Sequence, residues 1–167
     1  MSTGEAAVIA RDQPASWPDG FDTFYGTHYA PMVRLSRLVT GRLDLAEEVV
    51  QDAFIEVAQR WPRIERHFQY LRSAVINRSR TRVRRAARER AAQFEEPRSL
   101  GDGAIPAEFQ AIWAALASLS TRRRAAVVLR FYEDLSDEDI ASILDCEPGT
   151  VRSLVHRGVS QLRRNLP

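Results

Sequence analysis

The chain has 167 residues, 44% hydrophobic and 28% charged, with a formal net charge of +2. That is enough apolar material for one mid-sized domain or two small ones, and too much for global disorder. No apolar run approaches the roughly 18 residues that cross a bilayer, and no sustained apolar stretch at the N-terminus reads as a secretory signal.

Cysteine is limited to Cys146, which excludes an internal disulfide and any multi-cysteine zinc site. His28, His67 and His156 lie far apart, without metal-ligand spacing. No nucleophile–base pair and no phosphate-binding glycine loop is found, so an enzyme is the weakest class and no cofactor is expected. The chain reads as a soluble, cytoplasmic protein with no membrane partner.

In chain order, residues 1–20 carry glycine, serine and prolines without helical period and read as a flexible tail. Phe21, Phe24, Tyr25, Tyr29, Met32, Val33, Leu35 and Leu38 then recur at helical spacing, with Gly41 as the stop. Asp44 is expected to cap a second helix with the stripe Leu45, Val49, Val50, Phe54, Val57 and Trp61, ended by Pro62. A short loop, 63–68, leads to a third long helix with Tyr70, Leu71, Ala74, Val75 and Val83 inward. Residues 95–106, with two prolines, two glycines and three acids, read as a linker.

Beyond it, Phe109, Ile112, Trp113, Leu116 and Leu119 predict one helix. Val127, Val128, Leu129, Phe131 and Tyr132 predict another. Ser136 with Asp139 forms a weak capping box before Ile140, Ile143 and Leu144. Pro148 and Gly149 break the pattern before a last helix with Val151, Leu154, Val155, Val159 and Leu162 on one face. No strand period appears. The fold class is all-α: two small helical domains, 21–94 and 107–167, joined by the linker.

Charge comes in blocks. Five acids and no base occupy 44–56; eight arginines and one acid, Glu89, occupy 71–90; seven acids and no base occupy 133–147. Every basic side chain is arginine, which binds phosphates and guanine edges in bidentate geometry. Blocks of this size suggest one anionic and one cationic partner. The plainer alternative is helix faces that pair with one another.

Residues 136–164 have the layout of a DNA-reading helix-turn-helix, with Thr150, Arg152, Ser153, His156 and Arg157 outward on the second helix. Arg122, Arg123 and Arg124 begin the preceding helix and can grip flanking backbone. On the third helix, Arg78, Arg80 and Arg84 lie among Tyr70 and Asn77, just after Arg66, His67 and Phe68. Cations for the backbone and flat rings for bases are what unpaired nucleic acid requires. Asn77 offers an amide for a flipped base.

The stretch FDTFYGTHYAPMVRLSRLVTGRLDLAEEVVQDAFIEVAQRW followed by YLRSAVINRSRTRVRR resembles region two of the extracytoplasmic-function (ECF) sigma factors of the sigma-70 family. The stretch VVLRFYEDLSDEDIASILDCEPGTVRSLVHRGVSQLR resembles region four. The resemblance covers about 21–164, and its wording is most similar to an actinobacterial subgroup. It implies a promoter-specificity subunit without enzymatic activity. It implies docking on the clamp helices of the RNA polymerase largest subunit through Asp44, Glu47, Glu48, Gln51, Asp52 and Phe54. It implies −10 recognition by Arg66, His67, Phe68, Tyr70, Asn77, Arg78, Arg80 and Arg84. The −35 element falls to Arg122, Arg123, Thr150, Arg152, Ser153, His156 and Arg157. Family members are often held by an anti-sigma factor, which makes one an expected partner, although no segment shows it.

This chain departs from the family pattern in places. Asp145 stands where glycine is usual before the turn, and aspartate tolerates the left-handed conformation better than most residues. Glu147 replaces a small capping residue. Pro148 fits a first helical position. Cys146 reads as a turn residue packed inward. The alternative function is a stand-alone helix-turn-helix regulator, which leaves the acidic 44–56 helix and the Asn77 helix unexplained.

Overall fold

A computed structural model describes residues 17–93 and 107–165. The expected linker, 95–106, and residues 1–16 of the expected tail lie outside the described residues. Seven α-helices follow in order: α1 Phe21–Thr40, α2 Leu43–Arg60, α3 His67–Ala92, α4 Ala107–Ser118, α5 Thr121–Phe131, α6 Asp137–Leu144 and α7 Pro148–Asn165. A single 3-10 turn, Trp61–Arg63, links α2 to α3.

The breaks have local causes. Gly41 ends α1 in the left-handed region at φ 72°, donating its N–H to Arg37 O at 2.7 Å. Asp44 is not the cap of α2. Arg42 holds that position, and Asp44 sits in the first turn, paired with the Arg42 guanidinium. There its charge still favours the helix N-terminus. Pro62 falls in the 3-10 turn, and Ile64 donates back to Trp61 O at 3.3 Å. Ser136 caps α6 by accepting from the Asp139 N–H at 3.1 Å, and its hydroxyl donates to the Asp139 carboxylate at 2.9 Å, so the return bond of the expected capping box goes to the side chain rather than to the Ser136 N–H. Asp145 takes the left-handed conformation at φ 50°, and Pro148 opens α7.

Helices α1, α2 and α3 bury Leu35, Val39, Val50, Val57, Leu71, Val75 and Ile76 between them. Ser36 and Ser79 meet in that core and share a hydrogen bond at 2.8 Å, so two small side chains let α1 and α3 approach. An aromatic cluster closes one end. Phe21 and Phe24 set their edges against Trp61 at 5.5 and 5.2 Å, and Phe54 packs beneath both. Trp17 stacks on Phe21 at 5.0 Å. Within the expected tail, Trp17 makes this contact while 55% exposed, and Pro18 O accepts from the Phe21 N–H at 3.0 Å.

In the second half α5 is central. Gly158 of α7 comes so close that an added Cβ would lie 2.6 Å from Val127 Cγ2. Ile140, Leu144 and Val151 join α6 to α7 as the motif requires. Phe131 and Tyr132 depart from the expected stripe. They are 65% and 47% exposed, because the inward run of α5 stops at Leu129.

The two expected helical modules meet across one shared buried cluster, beside a smaller one of Leu116, Leu119 and Val127. Val128 and Leu129 of α5 belong to the same buried cluster as Leu35 and Val75. Arg124 crosses the junction, only 6% exposed. Its Nη1 donates to Val39 O at 2.9 Å, and its Nη2 to Ala117 O and Leu119 O at 3.0 and 3.2 Å. One guanidinium thereby satisfies terminal carbonyls of α1 and α4. Burial pushes its pKa down from the ordinary arginine value. Arg72 pairs with Glu133 at 3.4 Å across the same junction, and the Arg37 guanidinium lies 5.4 Å over the Trp113 ring.

Candidate nucleic-acid interface

The acid-rich helix α2 turns two faces outward. Glu47, Glu48, Gln51 and Asp52 are exposed, and so is Asp44. Phe54 is not part of that surface. It is 2% exposed inside the aromatic cluster, so it acts there by packing. The exposed apolar side chain one turn beyond Gln51 is Ile55, 47% exposed and missed in the sequence. A helical-wheel count from Gln51 finds it, because Ile55 is i+4 while Phe54 is i+3 on the inward stripe.

Between α2 and α3 runs a groove of about 490 Å³, lined by Asp52 and Glu56 on one side and Tyr70, Asn77, Arg78 and Arg82 on the other. Glu56 organises it. The Tyr70 hydroxyl donates to Glu56 Oε1 at 2.5 Å, Arg78 Nη2 pairs with Oε2, and Arg60 Nε lies 3.6 Å from the carboxylate. The Tyr70 hydrogen bond, followed by Arg78, holds the Glu56 carboxyl below the usual carboxylate range, and the same bond raises the Tyr70 phenol. Arg82 binds Glu48 with both carboxylate oxygens. Part of the arginine row on α3 is therefore paired with α2, as the alternative of mutually pairing faces expects.

The other expected −10 residues divide. Asn77 and Arg84 are exposed, and Arg80 donates to Asn77 Oδ1 at 3.2 Å. Burial, with the nearby Arg84 and Arg122 charges, lowers the Arg80 pKa. The expected loop 63–68 shrinks to residues 64–66, where Arg66 is exposed. His67 stacks on Trp61 at 3.7 Å and hydrogen-bonds to Trp61 O at 3.0 Å. Phe68 lies under His28 and beside the Arg72 guanidinium. Both rings are half-buried and build the wall behind the loop.

On α7, Thr150, Arg152, Ser153, His156 and Arg157 are all exposed, opposite the buried Val151. Arg122 is exposed at the start of α5. Arg123 donates to Gln161 Oε1 at 3.2 Å and ties α5 to α7. Asp137 bridges Arg130, to which it is hydrogen-bonded, and Arg152 Nε at 3.5 Å. Among the described residues no cluster of histidine, cysteine and carboxylates has the makings of a metal site. No described helix is long and apolar enough to cross a membrane.

Residues 109–162 match the family "Sigma-70, region 4". The RNA polymerase sigma-E factor of Streptomyces coelicolor is 33% identical over 87% of this chain and 85% of its own. The ECF RNA polymerase sigma factor SigM of Mycobacterium tuberculosis is 31% identical over 96% of this chain and 82% of its own. The sigma factor RpoE of Bartonella quintana, solved in complex with the anti-sigma factor NepR, superposes with a TM-score of 0.75 over 87% of this chain and 95% of that one, at 22% identity. That likeness extends the shared fold across both halves. The chain belongs to the ECF sigma factors of the sigma-70 family.

Proposed function

We propose that this sigma factor binds core RNA polymerase through α2, engages the promoter −10 element through the α2–α3 groove, and reads the −35 element through α7. The exposed acids Asp44, Glu47, Glu48 and Asp52, with Gln51 and Ile55, form the surface for the basic clamp helices. Phe54 supports it from beneath. Asn77, Arg80 and Arg84, with Arg66 at the loop, serve the −10 strand; His67 and Phe68 shape that loop. Thr150, Arg152, Ser153, His156 and Arg157 enter the major groove, and Arg122 contacts flanking phosphate. Arg123 aligns α5 with α7. The two working units are 21–94 and 107–167. The protein acts in the cytoplasm, without catalysis or cofactor of its own. An anti-sigma factor is a further partner, of the kind found in complex with the Bartonella protein.

The observation that carries the reading is the α7 face: five polar side chains outward, capped by Pro148 and held by Val151 beneath. Arg80 and Arg122 sit close enough to feel each other's charge. Elements about 25 base pairs apart on DNA are separated by roughly 85 Å at 3.4 Å per pair. Simultaneous engagement of both therefore requires α5 to part from α1 and α3.

The test is titration into core RNA polymerase from a GC-rich bacterium at two salt concentrations. Tight binding that weakens with salt is expected, and Glu48→Arg with Asp52→Arg abolishes it with the fold intact. A folded protein that binds duplex DNA but never polymerase would instead identify a stand-alone regulator.

A further inference from the structure

The α2–α3 groove holds an acid where nucleic-acid affinity alone would want none. Glu56 is half-buried, belongs to neither expected DNA nor polymerase contacts, and touches two of the expected −10 residues at once. Tyr70 and Arg78 are eight residues apart on α3, roughly 12 Å along the axis, and Glu56 of α2 is the group that reaches both. A free arginine samples many rotamers, whereas one tied to a carboxylate presents its remaining N–H donors in one geometry. A tyrosine whose hydroxyl is committed presents its ring in one plane, the condition for stacking on a particular base.

We infer that Glu56 is a positioning residue for base selection: it fixes the Tyr70 ring and the Arg78 guanidinium beside Asn77, exchanging general affinity for sequence discrimination. This rests on the reading of the groove as the −10 site. The local charge favours it. Arg60 and Arg78 against Glu56 leave one net positive charge in that triad, and Asp52 on the same wall offsets it further, so general affinity for phosphate is lower than the bare arginines would supply. The depressed Glu56 pKa keeps the carboxylate ionised at neutral pH. A carboxylate that served only to join α2 to α3 would stabilise the fold and leave base preference untouched, so the two roles are separable by experiment.

The experiment assembles the full chain with core polymerase and selects from a pool of single-stranded 12-mers of randomised sequence, for the wild type and Glu56→Gln. Glutamine keeps the shape and an acceptor for Tyr70 but releases Arg78. The variant is expected to bind the pool at least as tightly, with a salt slope steeper by about 0.7 for one freed phosphate contact. Its strongest base preferences should flatten by about tenfold, the worth of one charge-assisted hydrogen bond. Tyr70→Phe frees the ring while leaving Arg78 paired, and should flatten the preference at the position the ring stacks on. Phenolate absorbance, compared with Tyr70→Phe, should show Tyr70 ionising at lower pH in Glu56→Gln than in the wild type.

Unchanged base preferences in Glu56→Gln overturn the inference, as does a wild type that selects no sequence at all. Asn77→Ala and Arg80→Ala are measured alongside. If neither alters binding or preference, the groove itself is misassigned, a failure distinct from that of Glu56.

Discussion

Helices α3 and α7 both carry arginines, yet they hold them differently. On α3, Arg72, Arg78, Arg82 and Arg85 each have a carboxylate partner, two of them on α2 and one, Glu133, in the turn after α5. On α7, Arg152 shares Asp137 loosely at 3.5 Å, and Arg157 and Arg163 have no ion pair among the described residues. The α3 surface is set before a ligand arrives; in the function proposed above, the α7 surface is left to the DNA to organise. Duplex DNA presents a regular groove, so a row of mobile donors on a rigid helix finds its contacts. An unpaired strand has no fixed shape, so the protein must bring the geometry.

The largest test is of the joint between the two halves. Arg124→Met leaves carbonyls of α1 and α4 without their donor and is expected to cost about 3 kcal/mol or more. Urea unfolding followed by tryptophan fluorescence and by circular dichroism checks it. A single transition in the wild type that splits into two in the variant would show that Arg124 couples the halves. Next in size, Arg157→Ala should weaken duplex binding by about 1–3 kcal/mol with the melting temperature unchanged, because Arg157 is exposed and has no ion pair among the described residues. Arg78→Ala should alter both binding and stability, because it leaves Glu56 without its main cation. Equal behaviour of the two variants would erase the contrast between the helices.

The helices and their breaks were legible. Gly41, the Ser136–Asp139 box and the Asp145–Pro148 turn each state their geometry in a single residue type. The pairing on α3 was not, because Glu56 and Arg78 are 22 residues apart and Arg72 and Glu133 are 61 apart. No helical period links such positions. The acid block and the basic block were visible, but whether they face one another or two separate partners is a question of helix rotation about its axis. Phe54 shows the same limit. The motif puts it beside Gln51 and Asp52, and the neighbouring rings of Phe21 and Phe24 turn it inward. The shared core had one available signal. Residues 125–129 are apolar without interruption, more than one face of a helix needs, and α5 buries all five against partners on several sides.

Smaller effects sharpen the picture of the core. Gly158→Ala forces Val127 or α7 to shift and should cost about 1–2 kcal/mol after the better helix propensity of alanine is counted. Ser36→Ala should cost about 1 kcal/mol by stranding the Ser79 hydroxyl, and the Ser36→Ala, Ser79→Ala double variant less than the sum of the singles. Thermal unfolding of the four proteins closes that cycle.

The smallest effect is a pH dependence, and its sign separates the two arginine-bearing helices. The Glu56 pKa is lower in the folded protein than in the unfolded chain, chiefly through the Tyr70 hydrogen bond and then Arg78. The unfolded chain therefore takes up this proton first as pH falls. The stability Glu56 confers is complete above the ordinary carboxylate range, near 4.5, and is lost as pH drops through the depressed folded value. Melting temperatures of the wild type and Glu56→Gln should differ at pH 7 and converge in acid. No acid on α7 itself can impose a matching dependence, since residues 148–165 contain none. A constant gap between the two proteins down to low pH would mean that Glu56 joins the helices by shape alone, and that the order on the α3 surface does not come from its charge.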